Sequence, residues 1–147
     1  MILIAHRGNI DGRIPSRENH PDYIVEAIKE GYDVEVDAWF TTDGWYLGHD
    51  EPQYKVSSDY FFNSKLWIHC KNAAALERFN KWNNVKYFWH ANDDYTLISN
   101  GMIWVYPGKQ ALKNSIYCMP EWGHNGDLSI CYGICTDEIL KYKELYK

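Results

Sequence analysis

Short apolar runs begin near residues 2, 33, 66, 85, 102, 115 and 131, and helix-like stretches separate only some of them. That alternation constrains the fold more than any other feature of the chain. Strands alternating with helical patterns pair in parallel, so the sequence predicts an α/β domain of six to eight strands. Ile2 to Ala5 reads as a buried strand, and Pro21 to Glu30 as a helix capped by Asn19 or His20, with Ile24, Ala27 and Ile28 as its apolar stripe. Asp33 to Trp39 alternates as a strand does, and the turn at 41–44 leads to a short strand at Trp45 to Leu47. Leu66 to Cys70, Val85 to Trp89, Met102 to Tyr106 and Ser115 to Cys118 read as further strands, and the run from Leu128 to Cys135 contains the last. Helices are expected at Ala73 to Trp82 and from Thr136 to the end, the latter capped by Thr136 or Asp137. Segments 92–100 and 107–113 are too short for crossover helices and read as turns.

A full eightfold α/β barrel takes about 250 residues, whereas this chain has 147. The expectation is therefore a reduced TIM-type barrel of parallel strands in one domain, residues 1–147, with an incomplete outer helical ring. A homo-oligomer, in which a second copy covers the exposed wall, is the corresponding expectation. With 46% apolar and 16% aromatic residues, including 7 Trp and 12 Tyr, the chain has the means to pack a core. Its net charge of -5 and lack of a basic block argue against nucleic-acid binding. The opening M-I-L-I-A-H-R-G is too short an apolar run for an export signal, and nothing approaches a membrane span. The four cysteines, Cys70, Cys118, Cys131 and Cys135, lack zinc-site spacing and read as buried free thiols of a cytoplasmic protein.

Polar residues gather where the expected strands end. His6 and Arg7 end the first, Glu35 and Asp37 the second, His69 and Lys71 the third, His90 the fourth, and Thr136 and Asp137 the last, while His49 and Asp50 follow the returning segment. Parallel α/β proteins bind ligands at that face. Glu35 and Asp37 stand two apart and share one side of their strand, with Val34, Val36 and Ala38 on the other. Two adjacent carboxylates repel unless something positive lies between them. A hard divalent cation, Mg²⁺ or Ca²⁺, suits their oxygens. His69, two residues before Lys71 on the next strand, reads as a third ligand, which would favour Mn²⁺ or Zn²⁺, or as a hydrogen-bond partner of a metal-bound water. His6 and His49 are the acid/base candidates. Arg7 and Lys71 offer cations to a phosphate, and Glu18 and Asp50 would orient the site or pair with Arg7. His90 reads either as a pocket residue or as core, His20 as a cap, and His124 has no assigned role.

The segments A-H-R-G (5–8), E-N (18–19), G-Y-D-V-E-V-D (31–37), T-T-D-G (41–44), G-H-D (48–50), W-I-H-C-K (67–71) and G-I-C-T-D-E (133–138) together resemble the glycerophosphodiester phosphodiesterases, within the wider phosphatidylinositol-phospholipase-C-like barrels. The resemblance covers the chain through Lys71 and returns at the C-terminus. It implies a barrel enzyme that hydrolyses a small phosphodiester to a phosphomonoester and an alcohol. By that resemblance His6 and His49 do the acid/base work, Glu35 and Asp37 bind the cation, and Arg7 and Lys71 contact phosphate, with Glu18 beside the site. His69 stands where the family has a third metal-binding glutamate. Two other readings stay open: a lyase-like phospholipase of the same barrel group that releases a cyclic phosphate, and a barrel that binds a phosphorylated ligand without turning it over.

Overall fold

The computed structural model describes residues 1–147. In chain order it contains β1 (Ile2–His6), α1 (Pro21–Lys29), β2 (Asp33–Thr41), β3 (Gly44–Leu47), β4 (Tyr54–Val56), a 3-10 turn (Ser58–Phe62), β5 (Leu66–Cys70), α2 (Ala73–Phe79), β6 (Lys86–Phe88), β7 (Tyr95–Leu97), β8 (Ile103–Val105), β9 (Ser115–Cys118), a second 3-10 turn (Pro120–Trp122), β10 (Gly133–Thr136) and α3 (Ile139–Leu145). The strands β6-β5-β2-β1-β10-β9-β8 run parallel in that order. β3 pairs antiparallel with the far end of β2, β4 with β3, and β7 with β8.

The sheet curls. Ile4, Trp67, Phe88, Ile98, Trp104, Ile116 and Cys135 form one buried cluster inside it, although they come from opposite ends of the strand order. Phe88 on β6 stacks against Trp104 on β8 with ring centroids 4.4 Å apart. No ladder joins β6 to β7. Ser99 spans that gap instead: its N–H donates to the Tyr87 carbonyl at 2.9 Å, and its Oγ accepts from the Tyr87 N–H at 3.0 Å. The result is a mixed α/β fold with a curled, mostly parallel half-barrel and three short helices.

Segment 92–100 departs from expectation, since it contains β7 rather than only a turn. A parallel crossover needs a dozen or more residues, whereas an antiparallel return needs only a short loop, and the link 98–102 between β7 and β8 is such a loop, so the two pair as an antiparallel hairpin. Strand β4 and the turn at Ser58–Phe62 also lie outside the sequence expectation. α3 begins at Ile139 because Thr136 still belongs to β10, and neither Thr136 nor Asp137 is its cap. α1 is capped by His20, whose Nδ1 accepts from the Asp22 N–H at 3.2 Å.

Strand alternation sorts the two faces of β2. Val34, Val36 and Ala38 pack outward against Ile24 and Ala27 of α1 and Ala75 and Phe79 of α2. Each fully buried Val, Ile or Phe contributes about 1.5–3 kcal/mol, so these two helices fix the strands that carry the carboxylates. At the other end of the half-barrel, a Cβ on Gly133 would lie 2.5 Å from Ile2 Cγ1 and 3.0 Å from the Ile2 carbonyl oxygen. Gly133→Ala is therefore expected to cost about 1–3 kcal/mol through overpacking, read as a lower denaturation midpoint. An unchanged midpoint would mean β1 and β10 can separate freely. Cys70, Cys118, Cys131 and Cys135 are all free thiols, with Cys118 the only one not fully buried. No helix is long and apolar enough to cross a membrane.

Candidate active site

Backbone hydrogen bonds bring the strand-end residues together. The Arg7 N–H donates to the Glu35 carbonyl, the Lys71 N–H to the Ala38 carbonyl, and the Gly48 N–H to the Asp37 carbonyl. The Trp39 indole then holds the Gly48 carbonyl at 2.7 Å. Gly48 turns there with φ +152, and a Cβ at that position would lie 2.1 Å from the Glu51 oxygen, so only glycine delivers His49 to this place. Arg7, Asn19 and Met119 all adopt left-handed backbone, at a cost of about 1–3 kcal/mol each. All three sit at the site: Arg7 and Met119 line the cleft, and Asn19 binds Asp37.

The cleft has a volume of about 400 Å³ and is lined by His6, Arg7, Glu35, His49, His69, Lys71 and His90 on its polar side. Glu35, Asp37 and His69 each offer a ligand atom within 4.8 Å of the others. Asp37 divides its oxygens. Oδ2 accepts from Asn19 Nδ2 at 2.9 Å and lies 3.0 Å from Arg7 Nε. Oδ1 is buried without a hydrogen-bond donor, and so is Oε2 of Glu35. His69 Nε2 lies 2.9 Å from the His90 carbonyl, which can only accept, so Nε2 carries the proton. Its Nδ1 then faces Asp37 Oδ1 at 3.2 Å and Glu35 Oε1 at 3.9 Å. Lone pairs this close require a proton or a cation between them. Two carboxylate oxygens and an imidazole nitrogen, with Asp37 Oδ1 otherwise unsatisfied, are a donor set that fits a divalent ion.

The charges on the pair split accordingly. Burial, with Asp37 alongside, pushes the Glu35 carboxyl above its ordinary range. Burial acts the same way on Asp37, but His69, Arg7 and Lys71 outweigh it and hold that carboxyl well below its ordinary range. His69→Glu replaces the nitrogen donor with oxygen. It is expected to shift the preference in a metal titration from Mn²⁺ or Zn²⁺ towards Mg²⁺ or Ca²⁺. An unchanged order of affinities would place His69 outside the coordination shell.

Two histidines flank this cluster. His6 Nδ1 lies 2.8 Å from Asp137 Oδ1, which also accepts from Asn9 Nδ2 at 2.8 Å, and His6 Nε2 points towards Glu35 Oε2 at 4.0 Å. Burial opposes charge on His6, yet Asp137 and then Glu35 prevail and push it up to about 9. His49 Nδ1 lies 2.7 Å from Asp50 Oδ1, a carboxylate whose side chain is 92% exposed. Burial, followed by the charge of Arg7, pushes His49 down. Glu18 gathers Arg7, Arg13 and Asn9. Burial would raise its carboxyl, but those donors bring it down to about 2. Lys71 Nζ lies 3.7 Å from Asp37 Oδ1. His90 lines the cleft and donates Nε2–H to the Asp93 carbonyl at 2.7 Å. Every candidate from the sequence thus lies in or beside the cleft, with Asp37 and Glu18 reaching it through Arg7 and Asp50 through His49.

Three supporting residues were not assigned this work from sequence. Asp137, expected at the strand-end face and as one of two possible helix caps, lies at that face and turns to His6. Asn9 binds both Glu18 and Asp137. Glu121 accepts from the Thr136 hydroxyl at 2.9 Å and from the Asp137 N–H at 2.8 Å, which fixes the end of β10. Strand parity carried a usable signal for Asp137, since residues 133, 135 and 137 alternate towards the interior. Asn9 lies in a loop and Glu121 in the short 3-10 turn, where no period exists to reveal them. Comparison with family models, with curated proteins and with solved structures gives no match for this chain.

Proposed function

We propose that the protein is a divalent-cation-dependent phosphodiesterase that hydrolyses a glycerophosphodiester or similar small phosphodiester to a phosphomonoester and an alcohol. The observation that carries this reading is the placement of two carboxylate-backed histidines and two cations around one Glu35–Asp37–His69 cluster with buried carboxylates. A cation held by those three residues would neutralise nonbridging phosphate oxygens as a Lewis acid. Arg7 and Lys71 bind the same phosphate by charge-assisted hydrogen bonds. Arg7 is held in place by Glu18 and Asp37, so little ordering cost remains when the phosphate arrives.

His6 and His49 take opposite proton roles. A buried carboxylate stabilises an imidazolium more strongly than an exposed one, because water screens the second. Asp137 is buried and Asp50 is not. His6 therefore enters as the imidazolium and gives its proton to the departing alcohol oxygen. His49 enters neutral and takes the proton of the attacking hydroxyl, whether from water or from a neighbouring hydroxyl of the substrate. The P–O bond to the leaving alcohol breaks as the new one forms. In the same reading the half-barrel is a TIM-type barrel reduced by loss of most outer helices.

The test is turnover of glycerophosphodiesters followed by phosphorus NMR, with chelator-treated protein and added Mg²⁺, Ca²⁺ or Mn²⁺. Metal-dependent release of glycerol phosphate supports hydrolysis, whereas a persistent cyclic phosphate identifies the lyase-like route. No turnover with any of the three ions would leave only ligand binding.

A further inference from the structure

Arg7 and His49 line two cavities at once. Beside the cleft lies a pocket of about 200 Å³ whose remaining wall includes Arg13, Asn19, Asp50, Glu51 and Gln53. The opposite side of the cleft is aromatic. Trp89 follows β6, Tyr106 follows β8 and Trp122 follows β9, and they are 40%, 36% and 64% exposed. Large rings left this exposed at a cleft mouth lose favourable burial unless a ligand covers them. The phosphate-binding groups therefore stand at a junction with unlike chemistry on its two sides.

We propose that the cleft selects phosphodiesters with two unlike arms: a polyhydroxyl arm in the polar pocket, and an uncharged planar aromatic arm against Trp89, Tyr106 and Trp122. This rests on the phosphodiesterase reading above and adds the class of substrate. Hydroxyls match the polar pocket because they donate to Asp50 and Glu51 and accept from Arg13 and Gln53. A planar ring matches the aromatic wall because stacking works on the face of any flat ring. Charge decides against a cationic arm. The wall itself carries no carboxylate, and the charged groups it shares the cleft with, apart from Glu35 on the floor, are Arg7, Lys71 and the His6 imidazolium. Asp94, beside Tyr106, is already paired with Lys109 at 2.9 Å.

Three glycerol phosphodiesters, with 2-(2-naphthyl)ethanol, choline and ethanol as the second alcohol, test the assignment. Their phosphonate analogues are titrated calorimetrically in parallel, so binding is read whether or not turnover occurs. The naphthylethyl compound is expected to bind at least ~10-fold more tightly than the choline and ethyl compounds, as one stacked ring allows. Trp89→Ala combined with Trp122→Ala is expected to bring that preference to within about twofold. Gln53→Leu is expected to weaken all three glycerol compounds together and leave the naphthyl preference in place. Choline binding as tight as naphthylethyl, or a preference that survives loss of both tryptophans, overturns the proposal. Naphthyl-selective binding without turnover of any diester overturns the phosphodiesterase reading while the arm assignment stands.

Discussion

Glu35→Gln is expected to cut phosphodiester turnover at least ~100-fold and, in metal-free protein, to raise the unfolding temperature. The two effects have one cause. Glu35 is 2% exposed, accepts no hydrogen bond at Oε2 and sits beside an ionised Asp37. An unpaired buried polar group costs about 1–3 kcal/mol, and more when charged. The amide keeps the shape and removes the charge. For a chain of this size each kcal/mol moves the unfolding temperature by about 2–4 °C. The sign follows from the raised Glu35 carboxyl. Folding resists its ionisation, so the penalty exists only above its ordinary range and vanishes in acid, where the group is protonated folded or unfolded. The stability gain of Glu35→Gln should therefore be present at neutral pH and absent at acid pH. Added metal should reverse the order, because a ligand that binds only the folded wild type stabilises it. A variant that is less stable at neutral pH and still active would make Glu35 a structural residue.

The parts of this arrangement that sequence exposes are those with a period. Val34, Val36 and Ala38 against Glu35 and Asp37 is a two-residue alternation, and it placed both the helix-facing core and the carboxylate pair correctly. His69 and Lys71 followed by the same parity. What sequence did not expose was set by distance along the chain. Asp137 is 131 residues from His6; strand parity turns it inwards, but nothing local to T-D-E identifies His6 as the partner it meets. β7 is a second case: its residues read as a turn, and the short link from β7 to β8 makes the two pair antiparallel. The aromatic wall is a third case. Trp89, Tyr106 and Trp122 look like core residues by type, yet each lies past the end of its strand and is exposed.

Asp137→Asn is expected to lower turnover at least ~100-fold, and the informative part is how the loss depends on pH. Asp137 is buried against His6 and is the largest influence raising it, working against burial. With His6 as the acid, kcat/KM in the wild type falls as pH rises through the His6 value, which Asp137 holds above the ordinary 6.5. Asparagine can still accept a hydrogen bond from Nδ1, so ring orientation survives, but the charge does not. Burial then acts with less opposition, and the basic limb of the pH profile should move down towards or below the ordinary 6.5. Stability carries the same signature. A histidine raised on folding stabilises the protein fully below its unfolded value, and the contribution is lost as pH rises through the folded one. In metal-free wild type that window is 6.5 to about 9, with on the order of 3 kcal/mol at stake. Asp137→Asn should flatten it. Asn9→Ala provides the control: it removes a neutral donor to Asp137 while keeping the carboxylate, so the limb should move much less. A limb that stays in place in Asp137→Asn would mean that the Asp137 side chain orients the His6 ring and does not set its proton.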